Sequence, residues 1–395
     1  MIMRTLNPKI KFHVVLFLLS RIIVTTNFRM IYPFLPVFAR GLGVETSALA
    51  LALSIRAFLG VFGPFLASIA DTRDRKTGIL LGVGLFTAGS FVAGILPTFW
   101  FFILGVSLVS LGNVVFIPSL NAYLGDHVAY EKRGRVMAFV EMNWALAFII
   151  GIPIVRAVIE SHSWVMLFFG FGIAGLLMFL LFSLVLPAKS IPRTKENNLR
   201  HNLGVLLKTW PALAGMLVGI LITSANESVN LIFGVWIESQ FGLNFAALTA
   251  ASVVIGISEL GGEVFTGIWL DALGKRRTIW IFLGVNSLAA LILPFTGSEL
   301  GWALAGLGLF YITFEIVLVS SLTLMSEVAP TSRATMIAAT VASFSLGRMV
   351  GNLIGPGLFG ISFWASCLAA VLFNLLAAGL LTQVRLGKSP VMTTH

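Results

Sequence analysis

The segments that decide the fold are Asp71-Thr72-Arg73-Asp74-Arg75-Lys76 and Asp271-Ala272-Leu273-Gly274-Lys275-Arg276-Arg277. Each follows a long apolar stretch and places an aspartate just before a cluster of basic residues. The two aspartates lie 200 residues apart (271 minus 71) in a chain of 395 residues. An equivalent loop at this separation predicts a membrane protein that is built from two copies of one unit.

Composition places most of the chain in lipid. Of its residues, 58% are hydrophobic and 11% are charged, and the mean hydropathy is +0.99, as is typical of membrane proteins. The net charge of +10 could suggest nucleic-acid binding, but the basic residues are scattered over short loops between apolar stretches. We therefore expect the lipid bilayer, and no nucleic acid, among the partners. Cys367 is the only cysteine, which excludes an internal disulfide bond.

Twelve stretches are long and apolar enough to cross a bilayer, which takes about 20 residues. We call them span 1 to span 12, and in order they cover residues 12–38, 46–70, 78–96, 98–124, 136–159, 164–186, 212–238, 247–270, 278–296, 299–325, 334–358 and 361–384. Because the number of spans is even, both termini lie on the same side of the membrane. If that side is the cytoplasm, Arg40 is the only lysine or arginine in an outer loop, as the positive-inside rule requires. The sequence therefore predicts a multi-pass protein of the cell (cytoplasmic) membrane.

The longest polar loop divides the spans into two sets of six. It covers residues 187–211 and is predicted to be a cytoplasmic linker. We therefore predict an N-terminal six-helix bundle at 1–186 and a C-terminal six-helix bundle with a short tail at 212–395.

A second pair of loops supports the duplication. Asp126 and Arg133 follow span 4, and Glu327 and Arg333 follow span 10, again about 200 residues later. Six spans in each half make the halves parallel repeats, related by an axis along the membrane normal.

The chain resembles the major facilitator superfamily over nearly its whole length. In that family the loops after spans 2 and 8 carry Gly four residues before Asp, followed by Gly-Arg-Arg or a near variant, and the loop before span 5 is basic, as in Arg133-Gly134-Arg135. The second copy has Gly267, Asp271, Gly274, Lys275 and Arg276, whereas the first has Ala67 and Asp74 where glycines are usual. The resemblance implies an all-α membrane fold of twelve helices in two pseudo-symmetric bundles, with spans 1, 4, 7 and 10 around a central cavity.

The resemblance also implies a cytoplasmic gate. In the family the Asp of this loop contacts the opposite half near the start of span 11, and the Arg pairs with an acidic residue at the inner end of span 4. Asp71, Arg75 and Asp126 match those positions. The predicted gate residues are Asp71, Arg75, Asp126, Arg135, Asp271 and Arg276. The alternative is that these loops carry only the charge that sets topology.

Charged residues inside the spans are the main functional signal, because a charge at the bilayer centre costs about 3 kcal/mol or more and is normally tolerated only beside a cavity or a partner. Spans 3, 6, 9 and 12 contain none, which suits the lipid-facing helices of the resembled fold. Arginines concentrate in the first half and glutamates in the second. Away from the span ends, the charged residues are Arg21, Arg29, Arg56, Glu141, Glu227, Glu259, Glu263, Glu315 and Arg348.

Two sets of candidate residues follow. Among the charged residues inside the spans, only the carboxylates can gain and lose protons, because arginine stays protonated. The candidates for proton coupling are Glu141, Glu227, Glu259, Glu263 and Glu315, and those for the substrate cavity are Arg29, Tyr32, Arg56, Asn113, Trp144, Asn230 and Tyr311. The alternative for each charged residue is a buried ion pair that only fixes packing.

The sequence predicts a secondary transporter that moves a small or amphipathic solute, and we favour proton-coupled export by an antiporter, as in multidrug efflux. The first alternative is a carrier of an anionic or lipid-like solute bound by the arginines of spans 1 and 2, and the second is a membrane sensor that does not transport. The Gly-Pro signature of family drug antiporters is absent from span 5, where Gly151 and Pro153 are separated. We expect no enzymatic activity, cofactor or metal, since no nucleotide-binding loop or metal-ligand spacing is present. The expected assembly is a monomer.

Overall fold

The computed structural model describes residues 7–63, 65–66, 74–187 and 199–384, and this part of the chain is α-helical without β-strands. It contains eleven helices that are long and apolar enough to cross a membrane, and up to twelve if Leu35–Leu42 and Thr46–Val61, bent by 109°, count as one span. The predicted all-α membrane fold is therefore confirmed, with eleven or twelve candidate spans in the described residues where the sequence predicted twelve.

The observed helices keep the order of the predicted spans. Leu35–Leu42 continues span 1 beyond a turn at residues 30–34, just as Phe233–Phe241 continues span 7. The helices of the first half are Pro8–Arg29 and Leu35–Leu42 (span 1), Thr46–Val61 (span 2), Arg75–Ile95 (span 3), Phe99–His127 (span 4), Tyr130–Glu141, Asn143–Leu146, Ala147–Gly151 and Ile152–Ser161 (span 5), and Trp164–Val185 (span 6). Those of the second half are Trp210–Asn230 and Phe233–Phe241 (span 7), Phe245–Leu273 (span 8), Lys275–Ile292 and Leu293–Ser298 (span 9), Leu300–Val328 (span 10), Arg333–Ile361 (span 11) and Phe363–Leu381 (span 12).

The predicted linker is partly helical. Leu199–Lys208 forms a helix before span 7, and span 7 begins at Trp210, two residues earlier than predicted. An amphipathic stretch of this kind is too short and too polar to register as a span, so hydropathy alone placed it in a loop.

Spans 1 and 7 break where they face each other. Span 1 turns at residues 30–34, where Pro33 has no N–H to continue the helical hydrogen bonds. Span 7 breaks after Asn230, and a Cβ atom added to Gly234 would lie 2.6 Å from the carbonyl oxygen of Pro33. The lack of a side chain at Gly234 thus allows the two broken helices to approach closely. Because of the breaks, Arg29 and Asn230 end their helices within the predicted spans 1 and 7.

Contacts between the halves follow three pairs of spans. Span 2 packs along span 11, span 5 packs along span 8, and the ends of spans 1 and 7 meet through Leu35–Leu42 and Phe233–Phe241. One apolar cluster joins both halves at this end, with Phe34 and Phe38 from the first half and Phe233 and Trp236 from the second. Towards the other end, each half has an apolar cluster of its own. The halves are therefore most tightly joined at the end that carries the loops after spans 1 and 7.

The exposed apolar side chains fit a lipid-facing role for spans 3, 6, 9 and 12, as in Leu81, Leu177, Ile281 and Leu372, which are all about half exposed. Trp236 departs from the expectation that tryptophans near span ends lie at the membrane interface. It is buried and stacks on Phe363, with ring centroids 4.4 Å apart. The close packing of spans 7 and 12 encloses it.

Candidate functional site

A buried ion pair joins the two halves near the middle of the bundle. Arg29, the last residue of the first helix of span 1, donates from Nη1 to Glu259 Oε2 at 2.6 Å and from Nη2 to Glu259 Oε1 at 2.5 Å. Arg29 also donates to the carbonyl oxygen of Trp144 at 3.2 Å, and its guanidinium lies 3.6 Å from the centre of the Phe148 ring. Spans 1, 5 and 8 therefore meet around one guanidinium group.

Two more carboxylates lie beside this ion pair. Glu263 follows Glu259 by four residues on span 8, so both project from the same face of the helix. Glu315 of span 10 packs against the intervening Gly262, where an added Cβ atom would lie 2.8 Å from the Cβ of Glu315. We call Arg29, Glu259, Glu263 and Glu315 the carboxylate pocket.

Glu315 makes no direct contact with a group of opposite charge within the described part of the chain. It is 9% exposed, and it makes no hydrogen bond or ion pair with any described residue. Glu259 and Glu263 are the acidic groups within electrostatic reach of it, and Arg29 and Arg348 are the cations within reach. The three carboxylates thus outnumber these guanidinium groups, and at least one negative charge is left without a counter-charge when all three are ionised.

Glu141 belongs to a separate pair. Arg21 of span 1, which is 1% exposed, donates to its two carboxylate oxygens at 3.1 and 2.9 Å. Thr25, one turn further along span 1, donates to Asn143 Oδ1 at 2.5 Å. Both bonds lie within the first half and hold span 1 to span 5, so this pair matches the packing alternative for Glu141.

A second polar group, which we call the arginine pocket, consists of Tyr32, Arg56, Glu227 and Arg348. Arg56 of span 2 donates to the carbonyl oxygen of Phe28 at 2.8 Å and to the hydroxyl of Tyr32 at 3.0 Å. Its guanidinium lies 3.7 Å from the centre of the Phe28 ring. None of these partners carries a negative charge.

Glu227 of span 7 is the acidic member of the arginine pocket. It is 2% exposed, its Oε2 accepts from Asn230 at 3.1 Å, and its Oε1 accepts no hydrogen bond from a described residue. Arg56, Arg348 and the Tyr32 hydroxyl lie within electrostatic reach of it. Two arginines thus surround one carboxylate, which is the reverse of the balance in the carboxylate pocket.

Tyr311 lies between the two pockets. Its hydroxyl donates to Asn230 Oδ1 at 2.7 Å, and Glu227 and Glu259 both lie within electrostatic reach of it. It is 1% exposed, so it is packed inside the protein and lines no open surface.

The other two cavity candidates have different surroundings. Trp144 is half-buried and its ring lies 5.2 Å from the guanidinium of Arg29, at the edge of the carboxylate pocket. Asn113 of span 4 is half-buried and its Oδ1 atom lacks a hydrogen-bond partner among the described residues. No hydrogen bond in the described chain joins Asn113 to either pocket.

At the positions of the predicted gate, each half contains one ion pair. Arg75 Nε donates to Asp126 Oδ2 at 3.1 Å, which matches the prediction for spans 3 and 4. In the second half the equivalent pair is Lys275 with Glu327, at the same ends of spans 9 and 10. The residue predicted for this position was Arg276. Its side chain instead donates to the carbonyl oxygens of Leu381 and Thr382 at 3.0 and 2.8 Å.

The remaining gate residues make no comparable contact. Asp271 and Arg135 are exposed and form no hydrogen bond or ion pair with the described residues. Asp71 lies outside the described residues. The structure therefore supplies the contacts within each half, while the contacts of the aspartates with the opposite half stay a prediction.

The sequence analysis missed an ion pair at the end where the halves are most tightly joined. Arg40 Nη1 donates to Glu238 Oε1 at 2.6 Å and connects span 1 with span 7. The isolated position of Arg40, the only basic residue in a predicted outer loop, was the signal that could have identified it.

Comparison with known proteins gives one family. The model of the major facilitator superfamily matches residues 17–356. The uncharacterized MFS-type transporter YwfA of Bacillus subtilis is 27% identical over 358 residues, covering 87% of this chain and 83% of that protein. The inner membrane transport protein YdhP of Escherichia coli K12 is 24% identical over 323 residues, covering 81% of this chain and 82% of that protein.

Solved structures agree with this fold. A bacterial homologue of the human lysosomal transporter Spinster, in an inward-facing and occupied conformation, superposes with a TM-score of 0.76 at 14% identity and covers 96% of this chain and 97% of its own. The inward-facing and unoccupied form gives a TM-score of 0.72. With the family model matched across most of the chain, and with paired bundles around buried charges, the chain belongs to the major facilitator superfamily and is a membrane transporter that works by alternating access.

Proposed function

We propose that this transporter exports small amphipathic solutes in exchange for protons. The observation that carries the proposal is the charge balance of the carboxylate pocket, where Glu259, Glu263 and Glu315 surround the guanidinium of Arg29 and Arg348 is a further cation within electrostatic reach of Glu315. Like charges in a confined, poorly solvated space repel, and the repulsion falls when a carboxylate binds a proton. Arginine stays protonated, so the proton must bind a carboxylate.

The position of the pocket supports coupling to alternating access. Arg29 belongs to the first half, and the three glutamates belong to the second half. Protonation of Glu259 would weaken the ion pair that joins the halves, while deprotonation would strengthen it. Glu315 is the leading candidate for the transported proton because it has no partner to release. Glu141 and Glu227 rank lower, since arginines already compensate their charges.

The surroundings suit an amphipathic cargo. Trp144 is half-buried and supplies aromatic surface beside the charged groups, with Phe148 and Tyr311 buried close by, whereas a sugar site normally presents many amide and hydroxyl groups. With the termini placed in the cytoplasm, the tight joint at the ends of spans 1 and 7 lies on the outer side, and the state is inward-facing. We propose a monomer in the cell membrane with a small molecule and protons as partners.

Transport in proteoliposomes tests the proposal. Two probes of the same shape, 4-phenylbutane-1-sulfonate and (4-phenylbutyl)trimethylammonium, have permanent and opposite charges, so any pH dependence belongs to the protein. An imposed pH gradient should drive accumulation of at least one probe, and a proton ionophore should abolish it. Glu315→Gln should lose the pH-driven accumulation but keep exchange of probe for probe, whereas the exposed control Glu131→Gln should behave as the wild type. Accumulation that ignores the pH gradient in the wild type would overturn the proposal.

A further inference from the structure

Arg348 of span 11 carries a charge that has no direct partner within the described chain. It lies near the middle of Arg333–Ile361, is half-buried, and forms no hydrogen bond or ion pair with any described residue. A guanidinium at this depth is tolerated when it faces a polar cavity or a binding partner. The direction in which the Arg348 side chain points therefore decides whether it faces such a cavity.

Two exposed residues of span 11 lie on the side opposite Arg348. Leu353 and Gly357 are exposed, and on a helix with 3.6 residues per turn they lie about 140° and 180° from Arg348. Arg348 accordingly points away from that side of the helix.

Neighbouring residues of span 11 place Arg348 between two other spans. Gly351 packs against Glu227 of span 7, where an added Cβ atom would lie 2.5 Å from the Glu227 Cβ. The carbonyl oxygen of Met349 accepts from Ser54 of span 2 at 3.5 Å. Arg348 lies between these two contact directions, on the seam where Arg56 of span 2 and Glu227 of span 7 also lie.

The same face of span 11 is open at one end and closed at the other. Val341, two turns before Arg348, is 46% exposed, whereas Asn352, about one turn after it, is 0% exposed. These three residues lie within about 40° of one another around the helix. Exposure along this face therefore falls from Val341 towards Asn352.

Asn352 adds a second and independent sign of a missing ligand. Both polar atoms of its side-chain amide are buried, and neither has a hydrogen-bond partner in the described chain. Buried amides are normally paired, and an unpaired one calls for an explanation. The Nε atom of Arg56 is likewise buried without a partner. The unpaired donors, Asn352 Nδ2, Arg56 Nε and the guanidinium of Arg348, outnumber the unpaired acceptors, Asn352 Oδ1 and Glu227 Oε1, so an acceptor satisfies more of the site than a donor does.

We infer that Arg348, Asn352 and Arg56 form a subsite for an acidic group of the cargo, a carboxylate, phosphate or sulfonate. A guanidinium matches such groups with two parallel hydrogen bonds. The two arginines lie around the carboxylate of Glu227, and Arg348 is also within electrostatic reach of Glu315. Neither glutamate contacts Arg348 directly, and an acidic group on the cargo supplies that direct partner. This differs from the expectation that Arg29 holds an anion, because Glu259 already occupies both terminal nitrogens of Arg29.

This inference rests on the proposed function, since it requires an amphipathic cargo in the cavity, but its test needs neither transport nor a pH gradient. The binding of 4-phenylbutane-1-sulfonate and of (4-phenylbutyl)trimethylammonium to the purified full-length protein is measured by calorimetry at one fixed pH. The wild type is expected to bind the sulfonate at least tenfold more tightly than the ammonium. Arg348→Gln should weaken sulfonate binding at least tenfold and change ammonium binding less than threefold, and Arg348→Lys should fall between.

The control is Arg156→Gln, which also removes one arginine but at the end of span 5, where Arg156 pairs with Glu160. It should leave both affinities at wild-type values. Asn352→Leu, close in shape but without hydrogen-bonding groups, should weaken sulfonate binding alone, with the melting temperature reporting whether the variant is folded. Equal losses for the two probes in Arg348→Gln, or a wild type that shows no preference for the sulfonate, would overturn the inference. The Glu315→Gln transport result is separate, because a protein can bind the sulfonate through Arg348 whether or not it couples protons.

Discussion

Glu259 of span 8 accepts hydrogen bonds from both terminal nitrogens of Arg29 of span 1, at 2.5 and 2.6 Å, and this buried ion pair joins the two halves of the transporter. Both side chains are about nine-tenths buried. Removal of one partner from a buried pair leaves an uncompensated charge and typically costs about 3–5 kcal/mol. The pair is therefore a strong link in the state in which spans 1 and 7 meet.

The first prediction concerns this pair. Arg29→Gln should lower the free energy of unfolding by about 3–5 kcal/mol, because it leaves the buried charge of Glu259 without its partner. Glu259→Gln should cost less, because Glu263 and Glu315 remain beside Arg29. The double variant should recover at least half of the Arg29→Gln loss, since the charge of Glu259 is then removed as well. Melting of the purified protein in one detergent checks this. Losses that simply add in the double variant would show that the two side chains act independently.

A second prediction separates the two acidic sites. Glu227→Gln keeps an oxygen that can accept from Asn230 and removes only the charge, which Arg56 and Arg348 already compensate. It should therefore retain at least half of the pH-driven transport rate, whereas Glu315→Gln should fall below one-tenth of it. The measurement is accumulation of the preferred probe in proteoliposomes. The reverse order would move proton coupling to the arginine pocket.

The ion pair of Arg40 and Glu238 gives a third prediction. Its arginine side chain is 52% exposed, and pairs of this kind contribute about 0–1 kcal/mol. Arg40→Gln should therefore shift the balance between the two transport states towards opening at this end by about fivefold at most. Distances between spin labels at the ends of spans 1 and 7 report the shift. A complete change of state would mean that Arg40 does more than hold an exposed ion pair.

The fourth prediction concerns the close contact of spans 7 and 11. Gly351→Ala should destabilise the protein by about 1–3 kcal/mol, because the added methyl group would overlap Glu227 and force the spans apart. Gly357→Ala is the matched control, since a Cβ atom there meets no neighbour within 4 Å. Melting temperatures of the two variants provide the comparison. Similar values for both would show that span 11 adapts freely.

The sequence predicted the architecture because lipid leaves few alternatives. The twelve apolar stretches, and the charges missing from spans 3, 6, 9 and 12, sufficed for the fold, since only helices satisfy their backbone within such segments. The equivalence of Asp126 and Glu327 at the two inner loops was also visible. The helical breaks were not visible in the sequence, because the turn at residues 30–34 and the break after Asn230 depend on packing between spans 1 and 7.

The partners of the buried charges were the part that sequence could not supply. The glutamates of spans 5 and 8 were both plausible partners for the arginines of span 1, and only the packing pairs Arg21 with Glu141 and Arg29 with Glu259. Arg348 was recognised as a charge inside a span, but its lack of a partner depends on three-dimensional neighbours. Lys275 was overlooked in favour of Arg276 because adjacent basic residues look alike until the helix fixes their directions.

Proton movement driven by a gradient of the cargo tests the central claim most directly. Proteoliposomes are loaded with the preferred probe and a pH-sensitive dye, the membrane potential is clamped with potassium and valinomycin, and the outside is diluted into probe-free buffer. Exit of the probe should acidify the lumen in the wild type and in Glu131→Gln, because each exchange brings protons inward, and Glu315→Gln should let the probe leave with at most one-tenth of that acidification. Exit of the probe from wild-type liposomes with no change in luminal pH, or with alkalinisation, would contradict proton-coupled export.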